Sequence, residues 1–83
     1  MAYIVRIKPS AKKELDRIPE QYGKRIRAAL VWLTENPFVG KKLHGEYGGY
    51  YTLHVWPYRI IYVIERDELI ITVIRIGHRQ GVY

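Results

Sequence analysis

The sequence predicts an α+β domain of order β-α-α-β-β-β, with two N-terminal helices packed on one face of a mostly antiparallel four-stranded sheet. Three observations predict it. Tyr50–Arg79 holds three runs rich in Val, Ile, Tyr and Thr: Tyr50–Trp56, Tyr58–Glu65 and Leu69–Ile76. Such residues suit a pleated, half-buried surface. Their junctions are short, Pro57 at the first and Arg66-Asp67-Glu68 at the second, which favours antiparallel neighbours in a meander. Ahead of them lie one alternating run and two apolar stripes of helical period.

The alternating run is Tyr3–Lys8. Tyr3, Val5 and Ile7 share one face, and Arg6 and Lys8 the other. Pro9 and Ser10 end it, with Ser10 expected as the N-cap of the first helix. Ala11, Leu15 and Ile18 follow at i, i+4 and i+7, the spacing of one helix face. Pro19 closes that helix and opens a second, from about Glu20 to Glu35, whose buried stripe is Tyr22, Ile26, Leu30 and Leu33. Asn36-Pro37 ends it. An αα-hairpin laid on the sheet is the simplest arrangement. Phe38–Gly49 reads as a loop, without a phosphate-cradling consensus among its glycines.

Within the sheet, Tyr51, Leu53 and Val55 point towards the helices, while Thr52 and His54 point outward. A buried charge is costly, so Arg59 belongs on the outward face as well. Pairing His54 with Arg59 satisfies this and leaves Val55–Tyr58 as the turn. Leu69–Ile76 is apolar on both faces and is expected at the centre, between Tyr58–Glu65 and Tyr3–Lys8. Its periodicity does not orient Arg75 or His78.

Residues 1–83 make one domain, and 48% hydrophobic residues support a core. The absence of cysteine excludes disulfides and thiolate metal sites. The opening MAYIVRIKPS has Arg6 and Lys8 inside its apolar run, unlike a secretory signal, and no apolar run reaches membrane-spanning length. A cytoplasmic protein is expected. The net charge of +6 points to a polyanionic or acidic partner. Most acids fall in Glu14–Glu35 and Glu65–Glu68, whereas Leu69–Tyr83 contains none. Lys41, Lys42 and His44 precede the sheet, so one side of the molecule is expected to be positive.

Taken in order, these stretches resemble toxins of the RelE/ParE superfamily, from bacterial and archaeal toxin–antitoxin pairs. The opening strand with PSAKKELDRIP, then WLTENP with KKLHG, then GYYTLHV, YRIIYVIE and ITVIRIGHR…VY carry the resemblance across nearly the whole chain. It implies a single RelE-like toxin domain acting as a metal-independent, cofactor-free endoribonuclease that cuts mRNA in the ribosomal A site through 2′-OH attack. Arg59, Arg79 and Tyr83 match family positions. Thr52 and His54 stand where the best-known branch carries lysines, and His78 falls where several relatives have histidine or lysine. The implied catalytic set is therefore Arg59, Arg79, His54, His78 and Tyr83. Lys41, Lys42, Thr52 and Arg75 are the expected RNA contacts. Trp56 and Tyr58 fit either hairpin packing or stacking on bases.

The implied partners are a cognate RelB-like antitoxin, the ribosome with its mRNA, and operator DNA only through the antitoxin; no membrane is involved. Two alternatives stand beside the nuclease. One is a ParE-like DNA gyrase inhibitor without nuclease chemistry, favoured by Thr52 in place of lysine. The other is an inactivated toxin that only binds antitoxin and represses its operon.

Overall fold

A computed structural model describes residues 2–45 and 48–78. The chain runs β1 (Ile4–Ile7), α1 (Pro9–Asp16), α2 (Glu20–Leu33), β2 (Lys41–Lys42), β3 (Tyr50–Val55), β4 (Tyr58–Glu65) and β5 (Ile70–His78). The α+β class and the order of the main elements are as the sequence predicts. The strand count is not: the sheet has five strands, in the order β1-β5-β4-β3-β2. The extra strand is β2, inside the expected loop, where Lys41 pairs with Thr52 and Lys42 with Tyr51. Two lysines carry no apolar alternation, so nothing in their pattern announces a strand. β1 runs parallel to β5 and the other neighbours are antiparallel.

The helix start also differs. α1 begins at Pro9 with Lys8 as N-cap and without a side-chain capping bond, so Ser10 lies inside the helix. Proline at the first helical position has its φ already set and lacks an N–H that would go unpaired there.

Ala11 and Leu15 from α1, with Ile26, Leu30 and Leu33 from α2, meet Ile60, Tyr62, Ile71, Val73 and Ile76 of the sheet. These are the positions that helical and strand periods assign to the facing surfaces. β5 is irregular at one point: Ile61 pairs with Arg75 but Tyr62 with Val73, leaving Ile74 as an extra residue. β1 reaches only to Val73. Past it, Glu14 of α1 occupies the bare edge of β5. Its Oε1 accepts from the Ile76 N–H at 2.9 Å, and its Oε2 accepts from Arg75 Nη2 at 3.1 Å. An edge amide is thereby satisfied by a helix side chain. No helix among the described residues is long and apolar enough to cross a membrane.

Tyr62 fixes the approach to β2. Its side chain is fully buried, with its ring stacked on that of Tyr51 at 5.6 Å. The hydroxyl donates to the Pro37 carbonyl at 2.9 Å and accepts from the Gly40 N–H at 3.1 Å. A Cβ at position 40 would collide with that hydroxyl and stand 2.8 Å from the Thr52 carbonyl oxygen, so only glycine fits. The segment leading to Lys41 is thus held by one phenol.

Tyr62→Phe should keep the stacked ring but leave the buried Pro37 carbonyl and the partly buried Gly40 N–H without this partner, at a cost of roughly 1–3 kcal/mol. Burial raises the pKa of the Tyr62 hydroxyl above the usual tyrosine value. The folded state therefore holds this proton to higher pH than the unfolded chain. The stability it contributes is complete below about pH 10 and falls as pH rises through the folded pKa. Urea unfolding of parent and variant at about pH 7 and pH 10.5 should show a gap that narrows at the higher pH. A gap that stayed constant or widened would contradict the hydroxyl's role.

Candidate functional site

Trp56 and Pro57 alone link β3 to β4, and Val55 pairs with Tyr58. The next pair outward along both strands is His54 with Arg59. Directly opposed residues share a face, with Cβ atoms about 4.5–5.5 Å apart. The expected imidazole–guanidinium juxtaposition is therefore present, on the face opposite the helices. On its other flank Arg59 pairs with Gly77, a residue with no side chain of its own. Lys41, paired with Thr52, lies one diagonal step from His54.

Two depressions meet at His54. One, of about 290 Å³, is lined by Val39, Gly40, Lys41, Thr52, Leu53 and His54. The other, of about 230 Å³, is lined by His54, Trp56, Tyr58 and Arg59. Each contributes cations and apolar surface at the same end of the sheet. A third depression, of about 450 Å³, lies at the β4–β5 turn and is lined by Glu65, Arg66, Asp67 and Glu68. Its three carboxylates disfavour a polyanion. β4 thus begins at a cationic end and finishes at an acidic one, on the order of 20 Å away at a strand's rise per residue.

The expected site residues do not all share that exposed surface. Thr52 is on the outward face, but it is only 2% exposed and its Oγ1 makes no hydrogen bond within the chain. Neighbouring strands flank it on both sides. Arg75 is engaged by Glu14 rather than presented alone, a pairing across 61 residues that no local pattern signals. His78 pairs with Tyr58 and stands edge-on to its ring at 5.8 Å. Tyr58 in turn packs against Tyr22 of α2 at 5.6 Å. His78 therefore shares the helix-side face, and the pleat separates it from His54 and Arg59. Lys42, next to Lys41 on β2, alternates to the other face for the same reason. Arg79 and Tyr83 lie outside the described residues. Among the described residues, no three His, Asp or Glu side chains are grouped to hold a metal ion. Sequence reasoning missed Glu14 and Tyr62, since each acts through a partner distant in the chain.

Comparison with known proteins agrees with this architecture. The family model for the ParE toxin of the type II toxin–antitoxin system parDE matches residues 5–83. Toxin RelG of Mycobacterium tuberculosis is 32% identical over 89 residues, spanning 100% of this chain and 98% of its own length. Among solved structures, a chain of the RelBE2 toxin–antitoxin complex of M. tuberculosis has a TM-score of 0.85 at 26% identity, covering 95% of this chain and 100% of that one. The archaeal RelE–RelB complex from Pyrococcus horikoshii shares the fold, with a TM-score of 0.83 at 24% identity over 100% of both chains. The protein is a toxin of a type II toxin–antitoxin system. More closely, it belongs to the RelE/ParE superfamily and is RelE-like.

The placement of charge yields a test independent of chemistry. Each phosphate neutralised on a single strand contributes about −0.7 to the slope of log affinity against log salt. Lys41→Ala should flatten that slope for a single-stranded polyanion by about this amount. Arg75→Ala should leave it unchanged, because Glu14 holds that guanidinium. Equal effects from the two variants would show that the cationic end is not where a polyanion binds.

Proposed function

We propose that the protein is a ribosome-dependent endoribonuclease that cleaves mRNA in the A site, by metal-independent attack of a 2′-OH on the adjacent phosphate. The observation that carries this reading is the pairing of His54 with Arg59 on an exposed cationic surface. Cleavage of this kind needs a base for the 2′-OH proton, cations for the crowded phosphorane, and an acid for the departing 5′-oxygen. His54 is the base, since the unprotonated nitrogen of a neutral imidazole can accept the 2′-OH proton. Its proton comes from the 2′-OH as that oxygen bonds phosphorus, and the P–O5′ bond then breaks to leave a 2′,3′-cyclic phosphate. Arg59 stabilises the developing charge and Lys41 holds a neighbouring phosphate. By the family resemblance, Arg79 adds charge and Tyr83 serves the leaving-group side. His78, on the other face, is not required for proton transfer.

A cognate RelB-like antitoxin neutralises the toxin in this account, acting in the cytoplasm and carrying it to operator DNA. Solved complexes of similar toxins with RelB or YefM support such pairing. A second reading, gyrase inhibition without nuclease chemistry, is favoured by the match to the ParE family model and by the burial of Thr52.

Single-turnover cleavage of mRNA on programmed ribosomes separates the roles. Arg59→Ala should fold and lose about 10²–10³-fold in rate, as for other preorganised donors to a developing charge. His54→Asn should lose roughly 10²–10⁴-fold. His78→Gln should stay within a few-fold of the parent. Full activity of Arg59→Ala, or a larger loss in His78→Gln than in His54→Asn, would refute these assignments.

A further inference from the structure

Trp56 takes no part in the chemistry proposed above, yet it is placed as a ligand-facing residue is. It occupies the two-residue link between β3 and β4 and is 62% exposed, an unusual position for a side chain whose burial would be worth kilocalories. The hairpin's other aromatic, Tyr58, is directed towards α2 through Tyr22. Trp56 instead lines the 230 Å³ depression with His54, Tyr58 and Arg59. That depression combines an indole with a guanidinium and an imidazole. Proteins that hold single strands use the same two elements, cations along the backbone and aromatic faces on which unpaired bases stack. A phosphate at Arg59 brings its attached nucleoside within reach of the hairpin tip.

We propose that Trp56 is the stacking platform for an unpaired base of single-stranded RNA, next to the phosphate held by Arg59. This rests on the nuclease reading only for which phosphate is cut; the stacking itself does not depend on cleavage. An indole face accepts any base, so Trp56 contributes affinity and position with little sequence preference. It is a binding residue and moves no proton.

The chain has two tryptophans. Trp32 lies on the exposed side of α2, away from this depression, and Trp32→Phe leaves Trp56 as the sole indole reporter. Its emission should be quenched on titration with a single-stranded RNA dodecamer. An abasic ribose-phosphate oligomer of equal length, carrying the same phosphates without bases, should bind with little quenching. Adding Trp56→Ala should weaken RNA binding by roughly 5- to 150-fold, the range reported for removing one base-stacking aromatic. Affinity for the abasic oligomer should stay within about twofold, and Trp56→Phe should recover most of the RNA affinity. Equal quenching by both oligomers, RNA that fails to quench, or unchanged RNA affinity in Trp56→Ala would each overturn the assignment. Cleavage measured on the same preparations keeps the two ideas apart. Base-dependent quenching without cleavage leaves the platform standing and removes the nuclease; cleavage without quenching does the reverse.

Discussion

The cationic end of this toxin depends on the register between β3 and β4, set by a link of only Trp56 and Pro57. So short a link leaves little slack. A slip of one residue would turn Arg59 towards the helix-covered face, where Tyr58 now packs on Tyr22 and an unpaired guanidinium is prohibitively costly. The core therefore enforces the geometry of the exposed face. The same register propagates to β5, where Arg59 meets Gly77 and Tyr58 meets His78. One constraint thus brings one histidine to the arginine and sends the other to the opposite side of the sheet.

Concentrating cations on one surface opposes folding, and the molecule offsets this by position. Among the described residues, its acids sit at the β4–β5 turn and on or just after the helices. Glu14 shows which interactions carry weight. Its ion pair with Arg75 is about half open to water on the arginine side, and such pairs contribute about 0–1 kcal/mol. Its bond to the Ile76 amide closes an otherwise bare strand edge, and a hydrogen bond to a charged group contributes about 1.5–3 kcal/mol. The backbone bond is the larger effect, and neutralisation of Arg75 follows from it. Tyr62 acts similarly from below, tying Pro37 and Gly40 so that Lys41 lies alongside Thr52.

Much of this was legible in the sequence because two periods are hard to mistake. Alternation in Tyr50–Val55 and Tyr58–Glu65, together with the cost of burying Arg59, was enough to place His54 opposite it. Helical spacing of Ala11 and Leu15, and of Ile26, Leu30 and Leu33, identified the buried faces. What stayed hidden was non-local. β2 is too short to show a period, and the bulge at Ile74 cannot be counted from residues that are apolar on both sides. That bulge also decides the facing of everything after it, which is why periodicity could not orient His78. Thr52 shows a further limit: alternation gives a face but not how deeply neighbouring strands cover it.

The central claim is that this cationic face cuts RNA by 2′-OH attack, and the chemistry of the severed ends tests it most directly. After induction of the toxin in growing cells, mRNA ends should be mapped and their termini typed enzymatically. The account predicts cuts in register with codons, 2′,3′-cyclic phosphate on the upstream fragment and 5′-hydroxyl on the downstream one. Intact mRNA alongside a DNA-damage response, or downstream fragments bearing 5′-phosphate, would contradict it.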